Sequence, residues 1–124
     1  MVREKYHING LKYSYSKYKP VRVANFYKVS FNELLKYTNA NFGKAVADDL
    51  HNKAVKSLSS LPYRYTAYPE CRFLPTTTRM YRTISVKNFA AILYRIKPTR
   101  IEVLSIYNKH IAPSRIRKMR SIKI

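Results

Sequence analysis

The sequence contains little glycine, one cysteine and no long apolar run, and each shortage excludes a class of protein. Gly10 and Gly43 are the only glycines in 124 residues, so the glycine-rich phosphate loops of Rossmann and P-loop nucleotide-binding enzymes are absent. The single cysteine, Cys71, cannot form an intramolecular disulfide, which favours a reducing compartment. No apolar stretch approaches the roughly 20 residues that cross a bilayer, and residues 1–15 lack the apolar core of a signal peptide. We therefore expect a cytoplasmic protein that does not enter a membrane.

Acidic residues are also scarce, and the six that occur do not cluster. Asp48 and Asp49 form the only adjacent pair, and neighbouring residues on a helix point to different sides. This argues against a hydrolase with paired carboxylates and against an acidic metal site. The histidines His7, His51 and His110 show no metal-ligand spacing with one another or with the cysteine, so we expect neither a metal nor another cofactor.

Positive charge dominates what is present. With 25 Lys and Arg against six Asp and Glu, the formal net charge is +19 at pH 7. Hydrophobic residues make up 46% of the chain, which is enough for the core of one small domain and excludes wholesale disorder. Such a surplus of positive charge repels itself unless an anion is near. The composition therefore predicts a polyanionic partner, either nucleic acid or an acidic protein.

The first helix is predicted from hydrophobic spacing. After an extended piece at residues 21–24, Asn25 is a candidate N-cap, and apolar residues then follow a helical period as far as Gly43. Ser30 and Glu33 also fit a capping box, which would start the helix later.

A second amphipathic pattern covers residues 44–60 and predicts a helix that ends at Pro62. Because the link between the two helices is short, they should form an antiparallel hairpin. Residues 62–78 hold three prolines and no clear period, so we expect an irregular connection there.

Three strands are predicted in the second half of the chain, over residues 80–86, 89–96 and 101–107. The middle strand is apolar on both faces, so helices should cover one face of the sheet and another segment should cover the other. The expected fold is α+β, with an N-terminal helical hairpin packed on a small, mostly antiparallel sheet that ends in a three-stranded meander.

The two ends of the chain are basic. Residues 1–19 are rich in tyrosine, and the alternation over residues 11–15 suits an edge strand, while a partly ordered extension fits equally well. Residues 113–124 carry five cations and no acid, and the spacing of Ile116 and Met119 predicts a short basic helix.

One strand residue breaks the alternation of its strand. Arg82 lies on the same predicted face as Met80, Ile84 and Val86, where an apolar residue is expected. It is either an edge arginine that reaches past its aliphatic stem, or an arginine aimed at a phosphate or a partner carboxylate.

Polar and aromatic residues at the ends of the last two strands could together line one side of a sheet and bind RNA by stacking and charge. Taken alone, Tyr94 also fits a core tyrosine, and His110 fits either a solvated residue or a general base. These residues are Tyr94, Arg95, Tyr107, Lys109 and His110.

The order of several short motifs resembles the RelE/ParE superfamily of toxins from bacterial toxin–antitoxin modules. The resemblance spans residues 21–110. It rests on a short strand, on Tyr37 ahead of NANFG, and on the series SLSSLPYRY, TAYPE, MYRTISVKNF, AILYRI and IEVLSIYNKH.

The resemblance implies the α+β fold described above and an acidic antitoxin as partner, with operator DNA bound only through that antitoxin. It also implies three parts of the chain. These are a basic, tyrosine-rich extension over residues 1–19, a toxin-like domain over residues 20–112 and a basic tail over residues 113–124.

RelE-like members of the superfamily are ribosome-dependent endoribonucleases that need no metal. Their cationic side chains stabilise a phosphorane-like transition state while a 2′-hydroxyl attacks. The resemblance places this catalytic cluster on Arg82, Tyr94, Lys109 and His110. The arginine expected three residues before the tyrosine falls on Ala91, so part of the nuclease cluster is missing.

ParE-like members resemble the chain better in the YPE connection and in the strand patterns, and they poison DNA gyrase without catalysing a reaction. The resemblance therefore favours a ParE-like toxin, with a RelE-like ribonuclease acting on ribosome-bound mRNA as the alternative. A third hypothesis, from charge and tyrosine content alone, is a nucleic-acid-binding or ribosome-associated protein. The candidate binding residues are Arg79, Arg95, Tyr107, Arg115, Arg117, Lys118 and Arg120.

Overall fold

The computed structural model describes residues 5–8, 11–14 and 17–124 of the chain. Two helices and a four-stranded sheet form its main body, and a short helix followed by a 3₁₀ turn ends it. The strands are β1 (Lys5–Ile8), β2 (Leu11–Ser14), β3 (Val21–Val23), β4 (Tyr81–Lys87), β5 (Ala90–Ile96) and β6 (Ile101–Asn108). The helices are α1 (Asn25–Phe42), α2 (Lys44–Arg64) and α3 (Pro113–Lys118), and the 3₁₀ turn is Met119–Ser121.

The four-stranded sheet has the order β3-β6-β5-β4. β4, β5 and β6 form the predicted antiparallel meander, and β3 adds to it in parallel with β6. The predicted α+β architecture, a helical hairpin on a mostly antiparallel sheet, is therefore confirmed. Helix α1 begins two residues after β3, so the chain passes from this edge strand directly into the helical hairpin.

Helix α1 begins at Asn25, so Ala24 occupies the N-cap position and no side chain caps the helix. The alternative start at Ser30 is wrong, because that residue lies inside the helix. Its hydroxyl donates to the carbonyl of Tyr27 at 3.0 Å and accepts from the amide of Ile106 at 3.3 Å, which joins the helix to the sheet. Gly43 separates the helices at a φ of 92°, a conformation that glycine adopts at little cost.

Helix α2 runs through Pro62 and ends at Arg64, so the predicted end at the proline is wrong. A proline inside a helix costs roughly 3 kcal/mol because it removes a hydrogen bond and crowds the preceding turn. The last turn of α2 nevertheless forms because it places Leu61 and Tyr65 in the core, and burying such side chains stabilises by roughly 1.5–3 kcal/mol each.

The sheet separates two hydrophobic clusters, as the apolar middle strand predicts. On one face, Leu50 and Leu61 of α2 pack with Ile92 of β5. On the other face, Leu93 and Leu104 pack against the irregular connection after α2 and against the C-terminal residues, which include Ile116 and Met119. The basic tail thus forms the predicted short helix and covers the outer face of the sheet.

The N-terminal strands β1 and β2 pair antiparallel in a two-stranded sheet of their own. Residues 11–14 are therefore a strand, as the alternation predicts, but not an edge of the main sheet; residue 15 lies outside the described residues. Lys17 and Lys19 contact the end of α2, where the Tyr65 hydroxyl donates to the carbonyl of Lys17 at 2.5 Å. Among the described residues, no helix is long and apolar enough to cross a membrane.

Candidate functional site

A groove of about 630 Å³ lies on the face of the sheet opposite the helices, and we call it the outer groove. One wall is the connection between α2 and β4, the floor is the sheet, and Ile116 of α3 closes one end. The lining residues are Tyr68, Pro69, Glu70, Cys71, Arg72, Phe73, Thr83, Ser85, Ala91, Tyr107, Lys109 and Ile116.

The polar chemistry of the outer groove is mostly cationic. Lys109 donates to the Ser85 hydroxyl at 2.5 Å across the floor. Glu70 is the one acid of the lining, and it accepts from the Thr76 amide at 3.0 Å and lies 3.7 Å from Arg79. Because the Glu70 carboxylate already interacts with the Thr76 amide and with Arg79, it does not neutralise the positive charge of Lys109.

Two lining residues bear on catalysis in this groove. Burial raises the pKa of Tyr107 to about 12, so its phenol stays protonated at neutral pH and is a poor general base. Ala91, where the superfamily resemblance expects an arginine, lies in the floor. The groove thus offers no cation at that position.

Arg82, the strand residue that breaks the alternation, binds backbone. Its Nε donates to the carbonyl of Arg79 at 3.0 Å, and its Nη1 donates to the carbonyls of Thr66 and Tyr68 at 3.0 and 2.9 Å. The guanidinium therefore fastens the irregular connection to the edge of β4. Arg82 does lie on an edge strand, as one of its two predicted interpretations has it, but its guanidinium binds backbone carbonyls of the same chain, which neither interpretation includes.

Tyr94 is fully buried in the cluster under the helices, on the face away from the outer groove. Its hydroxyl donates to the carbonyl of Tyr65 at 2.5 Å, and burial raises its pKa further above the usual tyrosine range. The core-tyrosine interpretation agrees with this position.

The four candidate catalytic residues therefore do not converge on one groove, although Arg82 and Tyr94 are cross-strand neighbours on β4 and β5. Lys109 lies in the outer groove, and His110 lines a different groove beside α1. Arg82 lines a third cavity, near Lys97, and Tyr94 is inside the core.

Arg95 also has a structural environment. Its Nε forms an ion pair with Glu102 at 2.6 Å, and its two terminal nitrogens donate to the carbonyls of Arg120 and Ile122 at 3.2 and 2.9 Å. Arg100 pairs with the same carboxylate at 2.6 Å. Burial alone would raise the pKa of Glu102, but the hydrogen bonds from the two arginines outweigh it and lower the pKa.

The remaining candidate binding residues are mostly exposed. Ile116 and Met119 fix the tail to the sheet, and the cations between and beside them point to solvent. The exposed cations are Arg79, Arg115, Arg117, Lys118 and Arg120. Tyr107 lines both the outer groove and the groove beside α1.

The groove beside α1, which we call the helix groove, has a volume of about 520 Å³ and was not predicted. Phe26 and Tyr37 of α1 line it and remain about half exposed. Glu33, His110 and Arg115 add charged and polar groups to its lining. Its sequence signal is the presence of aromatic residues on α1 away from the stripe that faces the core.

Comparisons with known proteins bear on the fold. Neither a family model nor a curated protein matches this sequence. Eight chains of solved structures match. One belongs to the chromosomal ParDE TA system from P. aeruginosa; it has a TM-score of 0.57 and 13% sequence identity, and the match covers 73% of this chain and 95% of that one. The chain therefore has the fold of a component of a ParDE system, and the fold expected from the RelE/ParE resemblance is confirmed.

Proposed function

We propose that this chain is the toxin of a type II toxin–antitoxin module, of the ParE kind, which arrests growth by acting on DNA gyrase. The observation that carries the proposal is the fold shared with a chain of the ParDE system over 95% of that chain. The superfamily motifs in the sequence agree with it.

A toxin that binds its target fits the site better than a ribonuclease. General acid–base or electrostatic catalysis needs its groups within about 3 Å of the reacting atoms. Two residues of the candidate nuclease cluster, Arg82 and Tyr94, donate their hydrogen bonds to backbone carbonyls. Ala91 replaces an expected cation in the outer groove. We therefore propose a non-enzymatic mode of action.

The second part of the proposal is an acidic antitoxin that binds the helix groove. Phe26 and Tyr37 offer an apolar surface on α1, and a partner side chain would bury what is now exposed. His110 and Arg115 lie at the same groove and can pair with acidic residues of the partner. A net charge of +19 would speed the encounter with an acidic protein.

The decisive experiment is gyrase supercoiling with the purified chain. We expect supercoiling of relaxed plasmid to stop as the chain is added, and to continue when Arg115, Lys118 and Arg120 of the tail are replaced by glutamine. A matched variant with Lys28, Lys36 and Lys56 of the helices changed to glutamine removes the same charge elsewhere and should still inhibit. Supercoiling that is unaffected at saturating protein would contradict the gyrase proposal.

Pulse labelling after controlled induction separates the alternatives in cells. A gyrase poison should stop DNA synthesis first while protein synthesis continues. A collapse of protein synthesis within minutes, with cleaved mRNA, would instead establish the ribosome-dependent ribonuclease. Harmless expression at a high level would favour a nucleic-acid-binding or ribosome-associated protein.

A further inference from the structure

A pocket of about 490 Å³ lies at the end of α2, and we call it the basic pocket. Four parts of the chain line it: Lys19 ahead of β3, Tyr65 at the end of α2, Arg82 of β4 and Lys97 in the turn after β5. Tyr65 belongs to the cluster under the helices, so the pocket lies on the helix side of the sheet, away from the outer groove. Its volume falls within the range of roughly 300–1,000 Å³ that ligand sites have.

The charged residues that line the basic pocket are all positive. Lys19, Arg82 and Lys97 are half-buried, and within residues 17–124 none of them takes part in an ion pair. Glu70 and Glu102 pair with other arginines. Partial burial of a cation without a counterion is unfavourable, and repulsion among three neighbouring cations adds to that cost. An anion bound in the pocket would relieve both.

Two of the three cations are already held in place. The Lys19 ammonium donates to the carbonyl of Lys97 at 2.7 Å and lies 5.1 Å from the centre of the Tyr65 ring. Arg82 donates from Nε and Nη1 to three backbone carbonyls. Because these contacts restrict the long side chains, an anion that binds them costs less side-chain entropy than it would on a free surface.

Hydrogen-bond donors remain on all three cations. An ammonium has three N–H groups and a guanidinium has five. Within the described part of the chain, Lys19 keeps two donors, Arg82 keeps the two of its Nη2 and Lys97 keeps three. A single carboxylate offers only two oxygens and one charge, whereas two linked phosphoryl groups offer more of both. The remaining donors therefore favour a diphosphate.

The backbone beside the basic pocket is strained. Arg79 has a φ of 55°, in the left-handed region that glycine adopts most easily. Its carbonyl accepts from Nε of Arg82, and the next residue, Met80, lines the pocket. Conformations of this kind cluster at ligand sites, where the surrounding contacts impose them. The strain is a second sign of a binding site, independent of charge.

We propose that the basic pocket binds a small molecule that carries a diphosphate group, with Lys19, Lys97 and Nη2 of Arg82 on the phosphoryl oxygens. A small molecule is favoured over a nucleic-acid strand because Tyr65, the aromatic residue of the lining, is only 5% exposed and offers no ring on which bases could stack. The proposal goes beyond the gyrase proposal and does not rest on it, because the pocket contains no residue of the tail or of the helix groove.

Isothermal titration calorimetry of the full chain with sodium pyrophosphate, and separately with ADP, tests the proposal. NaCl at about 0.15 M screens attraction to the rest of the charged surface. We expect one ligand per chain. Equal affinities would mean that the diphosphate alone is recognised, and tighter binding of ADP would place its nucleoside against the apolar lining at Met80 and Ile96; both results support the proposal.

The variant Lys97→Gln should bind pyrophosphate at least roughly tenfold more weakly, because it loses hydrogen bonds from a charged donor. Its thermal unfolding midpoint should stay within a few degrees of the wild type, since the Lys97 ammonium makes no hydrogen bond or ion pair within the described residues. The matched variant Lys56→Gln removes the same charge from an exposed position on α2 and should bind within about twofold of the wild type.

Hydrogen exchange locates the ligand on the chain. Pyrophosphate should slow the exchange of backbone amides in residues 17–19 and 95–97 more than in α1, because the ligand joins these two segments. Uniform slowing along the whole chain would contradict a site at this pocket.

Three further results would overturn the proposal. Unchanged binding in Lys97→Gln would place pyrophosphate elsewhere, and equal losses in Lys97→Gln and Lys56→Gln would show unspecific attraction. Tighter binding of a 12-nucleotide dT strand, weakened by Lys97→Gln, would identify nucleic acid as the occupant. None of these results bears on the gyrase proposal, because Lys97 is not among the tail residues that the supercoiling assay examines.

Discussion

Arg82 illustrates how a charged residue can hold irregular backbone in place. Residues 65–80 lack regular partners over most of their length, and buried or half-buried carbonyls there need donors. The fork of a guanidinium can satisfy several carbonyls at once, and here it serves those of Thr66, Tyr68 and Arg79. A lysine ammonium at this position could not donate to all three carbonyls, because it lacks the planar fork of donors that a guanidinium has.

The first prediction concerns this residue. Arg82→Met should lower the free energy of unfolding by roughly 2 kcal/mol, because it leaves carbonyls without donors. Urea denaturation followed by circular dichroism measures the change. The matched variant Arg22→Met alters an exposed arginine on β3 and should change stability by less than about 0.5 kcal/mol. An Arg82→Met protein of full stability that has lost toxicity would instead support a catalytic arginine.

Glu102 is the other polar residue on which structure depends. It is 3% exposed, and Arg95 and Arg100 both pair with it. Through Arg95, this carboxylate also orients the donors that bind the carbonyls of Arg120 and Ile122. The charge of one buried acid thus bears on the position of the tail.

The second prediction is a pH dependence. Because the pKa of Glu102 is lowered on folding, its carboxylate stabilises the fold above its ordinary pKa of 4.5, and that contribution is lost as the pH falls through the folded pKa. Glu102→Gln should cost roughly 3 kcal/mol at pH 7, since it leaves a half-buried arginine without its main counterion. Urea denaturation at pH 7 and at about pH 3.5 should show the gap between the two proteins narrowing at the lower pH. A gap that widens on acidification would contradict this linkage.

At the scale of elements, the C-terminal segment is a part of the core and carries its cations on the outside. Ile116 and Met119 are buried against Leu93 and Leu104 of the sheet. The spacing that predicts the helix is therefore the same spacing that attaches it. Without this segment, apolar residues of the outer sheet face would be exposed to water.

The third prediction follows from that packing. Ile116→Ala removes buried methyl and methylene groups and should cost roughly 3 kcal/mol. It should also increase amide hydrogen exchange in residues 113–122 more than in α1 or α2. Lys118→Ala, at an exposed position two residues away, should change neither quantity appreciably. Equal exchange in both variants would mean that the segment is held by other contacts.

Periodicity predicts the elements of this fold well. Helix α1 and the strands of the meander start and end within two residues of the expected positions, and the short tail helix lies within residues 113–124, because each carries a regular apolar face. The hydrophobic pattern fails where contacts between distant parts of the chain determine the end of an element. Helix α2 continues through Pro62 because Leu61 and Tyr65 reach the core.

The candidate site was harder to predict than the fold. Arg82, Tyr94 and Arg95 are polar residues in strands, and the partners that occupy them are mainly backbone carbonyls far away in sequence. Such distant partners leave no recognisable pattern in the sequence around these residues. The meeting of Lys19, Arg82 and Lys97 at the basic pocket is likewise a product of tertiary structure.

At the scale of the whole molecule, the charges that remain outside ion pairs are almost all positive. Of the five acids in residues 17–124, all but Glu33 form ion pairs with lysine or arginine. Each ion pair neutralises lysine or arginine side chains only in its own neighbourhood, so the remaining lysines and arginines repel one another across the surface. Mutual repulsion at this density destabilises the compact state.

The last prediction is that salt stabilises this protein. Raising NaCl from 0.05 to 0.5 M shortens the screening length to well below 10 Å, which weakens repulsion among the exposed cations. The thermal unfolding midpoint should rise by about 4 °C, which corresponds to roughly 1 kcal/mol for a chain of this size. Exposed ion pairs such as that of Lys44 and Asp48 are weakened under the same conditions, but pairs on the surface contribute little to stability.

A charge variant provides the control for this effect. Replacing Lys28, Lys36 and Lys56 by glutamate changes the charge by two units at each position and lowers the net charge from +19 to about +13. Differential scanning fluorimetry should give a smaller rise with salt for this variant than for the wild type, because less repulsion is left to screen. A midpoint that falls with salt in both proteins would show that ion pairs, and not the surplus of positive charge, govern the electrostatics of the folded chain.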